Sequence, residues 1–136
     1  MRRRALLLAC LLGSCQRAPR GLVESAEFGV FFGGQVQELA QIKKQLDAKR
    51  QRHGFRVTFV GPLPRDVAVT WEISLPVSDK GGPRPALVGQ TTARQGQRVL
   101  DMPLAFRPSD PLGAWHAKVS VDAQPVIDRD FAVVAP

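Results

Sequence analysis

Residues 66–75 read DVAVTWEISL. Every second residue in this stretch is large and apolar, namely Val67, Val69, Trp71, Ile73 and Leu75. The intervening residues are small or polar. Because successive side chains of a β-strand point to opposite faces, this strict alternation predicts a strand with one face buried and the other in solvent.

The same two-residue period recurs along most of the chain. The apolar members of the other predicted strands are Phe28, Val30 and Phe32; Phe55, Val57 and Phe59; Leu100, Met102, Leu104 and Phe106; Trp115, Ala117, Val119 and Val121; and Ile127, Phe131 and Val133. Arg129 is a polar exception within the last set, and Pro103 predicts an edge position or a bulge. Loops rich in Pro, Gly and Asp separate these runs, which predicts a mainly β fold, a single antiparallel β-sandwich.

Residues 36–52 fit this pattern less well, and two interpretations remain open. The stretch is rich in helix formers, and Gly54 is a suitable C-terminal stop, so local propensity favours a helix around 36–52. Yet Ala40, Ile42, Leu46 and Ala48 also alternate, as the residues of an edge strand would.

The N-terminus has the three parts of a secretory signal peptide. Arg2, Arg3 and Arg4 precede an apolar run from Ala5 to Leu12, and two small residues follow. A run of eight residues is too short to cross a bilayer, which takes roughly 20 residues of helix. We therefore expect export rather than a membrane-spanning helix.

Residues 12–15, LGSC, resemble the lipobox of bacterial lipoprotein precursors. The resemblance implies that Leu12, Gly13 and Ser14 form the signal cleavage site and that Cys15 becomes the lipidated first residue of the mature chain. It also implies anchorage in the cell envelope, and the residue after the cysteine, Gln16, favours the outer membrane over the inner one. The chain then divides into a cleaved signal peptide (1–14), a lipidated tether (15–27) and a β-sandwich domain (28–136).

The strand layout from residue 28 onward resembles the immunoglobulin and fibronectin type III class of sandwich, with Trp71 in the strand after the first long hairpin. The chain departs from antibody domains in two respects. Cys10 and Cys15 both lie before the sandwich, and the sequence has no tyrosine, so neither an inter-sheet disulfide nor a tyrosine corner can form. The resemblance implies a fold and little about function.

The residues of the predicted domain do not form a recognisable catalytic, metal or cofactor motif. His53 lies in a basic run and His116 on the polar face of a predicted strand, where a solvated histidine is the ordinary expectation. The Asp128 and Asp130 pair does not have the spacing of a calcium loop. We expect no enzyme, no cofactor and no metal, although a catalytic site assembled from scattered residues would leave no mark in one sequence.

The net charge is mild once the signal peptide is removed. Loss of Arg2, Arg3 and Arg4 from the 19 basic residues leaves 16 against 12 acidic residues, a charge of +4, which does not predict nucleic-acid binding. One cluster stands out: Lys43, Lys44, Lys49, Arg50, Arg52 and Arg56. It would suit an anionic surface or partner, but such runs more often form a solvated face.

These observations predict a membrane-anchored envelope lipoprotein that acts without catalysis as a protein-binding or structural module. Its expected partners are the membrane, through Cys15, and a protein of the envelope. The alternative is a module that binds anionic lipid, glycolipid or polysaccharide through the basic cluster.

Overall fold

The computed structural model describes residues 21–136, in which every regular element is a β-strand. The nine strands are β1 (Val23–Phe32), β2 (Gln35–Gln37), β3 (Gln41–Lys43), β4 (Arg52–Phe59), β5 (Val67–Ser74), β6 (Leu87–Ala93), β7 (Val99–Leu104), β8 (Gly113–Val121) and β9 (Gln124–Val134). They form a four-stranded sheet in the order β2-β1-β4-β7 and a five-stranded sheet in the order β3-β9-β8-β5-β6. The predicted β-sandwich is confirmed.

The strand order follows the immunoglobulin plan with one strand moved. In a constant-type domain the fourth strand lies on the sheet of the first, second and fifth. Here the corresponding strand is β6, if β1 to β3 are counted together as the first strand. It pairs with β5 in the five-stranded sheet instead. All pairs are antiparallel except β3 with β9, which run parallel.

The predicted inward faces form the core. Trp115, Ala117, Val119 and Val121 of β8 are all buried, as are Phe55, Val57 and Phe59 of β4. The prediction is wrong for Phe32, whose side chain is 69% exposed. The pairing of β1 with β4 ends at Phe31, so Phe32 lies at the tip of the hairpin beyond the core.

The predicted helix around 36–52 is wrong. This stretch forms β2, then β3, and then a loop with a turn in which the Arg50 N–H donates to the Asp47 carbonyl. The chain leaves the four-stranded sheet after Gln37 and joins the five-stranded sheet at Gln41, and a helix could not provide backbone pairing to both. The alternative of an edge strand through Ala40, Ile42, Leu46 and Ala48 is correct only at Ile42, because the chain between Lys43 and Arg52 is a loop.

The folded domain begins earlier than residue 28. β1 starts at Val23, so residues 23–27, predicted as tether, belong to the sandwich. Leu22, Val23 and Ala26 pack against the core. A register shift between Val23 and Ser25 breaks the alternation there, so the sequence pattern does not predict the start of this strand.

The structure explains the two residues that depart from an ordinary strand pattern, Pro103 and Arg129. Pro103 lies in β7, which is an edge strand of the four-stranded sheet, as predicted. Arg129 lies between the inward-facing Ile127 and Phe131 of β9. Its guanidinium donates to the Phe28 carbonyl (2.8 Å) and the Leu39 carbonyl (2.6 Å), and so ties β9 to the chain that crosses between the sheets.

Gly29 of β1 and Gly54 of β4 lie opposite each other where backbones approach closely. A Cβ at Gly29 would lie 1.9 Å from the Gln37 carbonyl oxygen, and one at Gly54 would lie 2.1 Å from the Met102 carbonyl oxygen. Gly54 also has a φ of +152°, which side-chain-bearing residues rarely adopt. Both positions therefore require glycine.

We predict that Gly54→Ala lowers the free energy of unfolding by about 3 kcal/mol or more, because the backbones of β4 and β7 must separate. Gly61→Ala is the control, since a Cβ there meets nothing within 4 Å, and its effect should stay within about 0.5 kcal/mol. Denaturant unfolding measures both. Equal effects of the two substitutions would contradict the close approach at Gly54.

Candidate functional site

The outer face of the five-stranded sheet carries an open furrow of about 630 Å³. β5, β6 and β8 supply its lining, which includes Thr70, Glu72, Val88, Gln90, Lys118 and Ser120. These residues alternate with the buried ones along each strand, so the sequence pattern that builds the core also points this mixed set outward. Val88 is 73% exposed, which gives the furrow an apolar wall beside the charges of Glu72 and Lys118.

His116 lies beside this furrow on the same face. Its Nε2 is 2.5 Å from an oxygen of Asp128, and its Nδ1 contacts an oxygen of Asp130. Both aspartates come from the neighbouring strand β9, where Asp130 is the register partner of His116. The hydrogen bond to Asp130, with a further one to Asp128, raises the pKa of His116 above 6.5.

This arrangement favours an imidazolium that donates from both ring nitrogens. A doubly engaged, protonated ring is not available to take a proton from a nucleophile. His116 therefore fits a charge-paired position on a surface better than a general base. The predicted solvated histidine is thus in fact held between two carboxylates.

His53 lies inside the sandwich, with 5% of its surface exposed. Its ring stacks on Phe106, with the ring centroids 4.1 Å apart. Burial lowers the pKa of His53 to about 4, against a smaller opposing effect from Asp110. This histidine is therefore neutral near pH 7 and acts as part of the core.

Asp110 organises the loop after β7. Its carboxylate is buried and accepts from the Arg107 N–H (2.7 Å) and the Arg107 guanidinium (2.8 Å). Lys44 donates to the carbonyls of Pro108 (2.7 Å) and Asp110 (2.6 Å). The Trp115 indole N–H donates to the Pro111 carbonyl (2.9 Å), so this loop is fixed from three sides.

The structure does not gather the six predicted basic residues on one face. Lys44 serves the loop just described, and Arg56 forms a two-point ion pair with Asp101 at 2.6 and 2.9 Å, which raises the pKa of Arg56. Lys43, Lys49, Arg50 and Arg52 are exposed, on β3, on the following loop and at the start of β4. Arg50 lies 3.9 Å from a carboxylate oxygen of Asp47, so three of the six are engaged within the fold. Anion binding by the cluster stays a prediction.

The lipobox residues Leu12, Gly13, Ser14 and Cys15 lie outside the described residues. Within residues 21–136, there is no helix long and apolar enough to span a bilayer. The same part of the chain has no group of three or more His, Cys, Asp or Glu side chains placed to hold a metal ion.

Comparison with solved structures identifies the fold. A crystal structure of an immunoglobulin-like protein from Pseudomonas aeruginosa matches 87% of this chain and 98% of its own, with a TM-score of 0.57 and 19% identity. An alkylpurine DNA glycosylase from Pseudomonas fluorescens, bound to DNA containing an abasic site analog, matches 82% of this chain and 30% of its own. Its TM-score of 0.45 and 15% identity are too low to support an argument.

No protein-family model and no curated protein matches the sequence. The first structural likeness shows that the domain is an immunoglobulin-like β-sandwich, which confirms that part of the predicted resemblance.

The two histidines make opposite contributions to the pH dependence of folding. The lowered pKa of His53 means that the unfolded chain binds a proton at a pH where the folded chain does not. Stability due to His53 is therefore present above pH 6.5 and is lost as the pH falls towards 4. The raised pKa of His116 gives a contribution that is present below pH 6.5 and is lost as the pH rises through its folded value.

We predict that the wild type loses on the order of 3 kcal/mol more unfolding free energy than His53→Phe between pH 7 and pH 4. His116→Gln, the matched surface variant, should steepen the loss on acidification rather than relieve it. Denaturant unfolding across this pH range measures the differences. Parallel curves for the wild type and His53→Phe would show that His53 is not held neutral by burial.

Proposed function

We propose that this chain is a lipid-anchored protein of the bacterial cell envelope and acts without catalysis, as a module that contacts other proteins. The outer face of the five-stranded sheet is the observation that carries the contact role. It combines an open furrow, an exposed valine and opposite charges on rigid strands. A non-obligate protein interface is about as apolar as the rest of a protein surface, so this mixture of apolar and charged groups is compatible with one.

The signal peptide and the lipobox resemblance support the anchor. Cys15 lies six residues before Gly21, where the described chain begins. Six extended residues span at most about 20 Å, so a lipid on Cys15 would hold the sandwich next to the bilayer. Two or three acyl chains, as bacterial lipoproteins carry, would give stable anchorage.

The state of the two histidines supports a role without catalysis. His53 is stacked in the core, and His116 is held between Asp128 and Asp130. Neither ring is presented as a free base at the furrow. The remaining charged groups there, Glu72 and Lys118, are register partners on neighbouring strands and balance each other.

The anchor is tested by expressing the full chain and a Cys15→Ser variant in a bacterium with an outer membrane. We expect the wild type in the membrane fraction, with a mature chain that begins at Cys15 and carries acyl mass. The Cys15→Ser variant should lack that mass and leave the membrane. A wild-type chain that retains Met1, or carries an unmodified Cys15, would overturn the anchor.

The contact role is tested with a photo-cross-linking amino acid at Val88, compared with the same group at Val99. Both valines are exposed, but Val99 lies on the four-stranded sheet, away from the furrow. We expect discrete cross-linked protein products in intact cells from position 88 and not from position 99. Equal labelling at both positions, or none at 88, would contradict a contact surface at the furrow.

A further inference from the structure

Strand β6 forms one edge of the five-stranded sheet. It runs for seven residues, Leu87–Ala93, and within residues 21–136 it pairs with β5 alone. Alternate residues of such a strand turn their N–H and C=O groups away from the sheet. These groups are ready to pair with another extended chain.

The other three edges are protected in recognised ways. β2 and β3 are only three residues long. β7 contains Pro103, which has no N–H to donate, and the charged Asp101. β6 has neither proline nor charge among its residues, LVGQTTA, so it is the edge of this domain that is open to pairing.

We propose that β6 pairs antiparallel with β6 of a second copy of this chain, around a two-fold axis at Gln90. The two five-stranded sheets then continue through the interface as one sheet. The inference rests on the proposed membrane anchor and adds a contact through the edge of the sheet, separate from the furrow. Because β6 is the only edge of this kind in the described domain, the pairing closes at a dimer.

The pattern of side chains in β6 supports this register. In a continuous antiparallel sheet, residues directly opposite each other share a face. Centring the pair on Gln90 satisfies this condition and uses all seven residues. It places Leu87 opposite Ala93 and Thr91 opposite Gly89, so a larger side chain meets a smaller one at each of these positions.

Gly89 and Trp71 give the inner side of the interface a definite shape. The two are register partners, and a Cβ at Gly89 would lie 2.2 Å from an indole carbon of Trp71. The indole therefore occupies the space over Gly89. In the proposed register, Thr91 of the second copy lies opposite this glycine and next to the indole edge, where its methyl group covers apolar surface.

The charges are compatible with self-pairing. The outer side chains of β6 are Val88, Gln90 and Thr92, all uncharged. Arg94, the first charged residue after the strand, would lie opposite Ala86 of the second copy. The proposed register therefore places no like charges opposite each other, which would destabilise the pair.

Seven residue pairs make a small interface, below the size of a stable complex in free solution. Anchoring both copies in one membrane raises their effective concentration and favours a contact that would otherwise be transient. The interface therefore suits an anchored protein.

Substitution at Gln90 tests the two-fold axis, because residue 90 of one copy faces residue 90 of the other. The full chain is produced with two different affinity tags in one cell and fixed in the intact membrane by a photo-cross-linking amino acid at position 88 of β6. It is then solubilised and recovered through the first tag. The fraction of second-tag chain recovered measures association. Thr70→Lys is the matched control, since Thr70 is the register partner of Gln90 on the same face but one strand away from the edge.

We expect association of the wild type and a loss of about fivefold or more for Gln90→Lys, because two lysines then face each other. The Gln90→Glu variant should be weakened in the same way. Co-expression of Gln90→Lys with Gln90→Glu should restore association, and Thr70→Lys should leave it unchanged.

No association of the wild type would overturn the proposal, as would equal effects of Gln90→Lys and Thr70→Lys. Failure of the Lys and Glu variants to rescue each other would also overturn it. These outcomes leave the proposed function intact if position 88 still cross-links to a product whose mass is not that of two copies. The amount of chain in the membrane fraction is measured in the same sample, so a missing anchor is distinguished from a missing pairing.

Discussion

Aromatic contacts across the interface between the two sheets hold this sandwich together. Phe28 of β1 stacks on Phe131 of β9 with ring centroids 5.2 Å apart, and Phe55 of β4 meets Trp71 of β5 edge-on at 5.5 Å. Trp115 continues this packing towards Phe131. Residues 21–136 contain no cysteine, so these buried rings connect the sheets where antibody domains use a disulfide. The residues that point into this aromatic core determine which face of each strand is buried. The opposite face of the strand is then exposed to solvent.

The inward faces were predictable because the period of a half-buried strand is local. In β4, β5 and β8 the alternating apolar residues are sufficient to predict which face of the strand is buried. The stretch 36–52 was not predictable in this way. Its composition favours a helix, but β3 pairs with β9, some ninety residues further along the chain. Such tertiary contacts override local helix propensity, and a short stretch of sequence contains no signal that predicts them.

The candidate site was predictable in part only. Adjacent cations in the sequence suggested one patch, but Lys44 turns to the loop after β7 and Arg56 to Asp101 on the neighbouring strand. The sequence does not predict the furrow, because β5, β6 and β8 together form it and the outward residues of each strand alone show no distinctive pattern. His116 gains its two carboxylate partners through the register of β8 with β9, which the hairpin sequence alone does not specify.

The proposed anchor and the proposed edge pairing together constrain how the protein would lie on a membrane. A two-fold axis perpendicular to the shared sheet places the two N-termini at opposite ends of the dimer. Tethers of about 20 Å could then enter one bilayer only if the axis is normal to it, with the sheets parallel to the surface. Because Gly21 leads into β1 of the four-stranded sheet, that sheet would face the lipid. The furrows of both copies, on the opposite face beside β6, would then face away from the membrane.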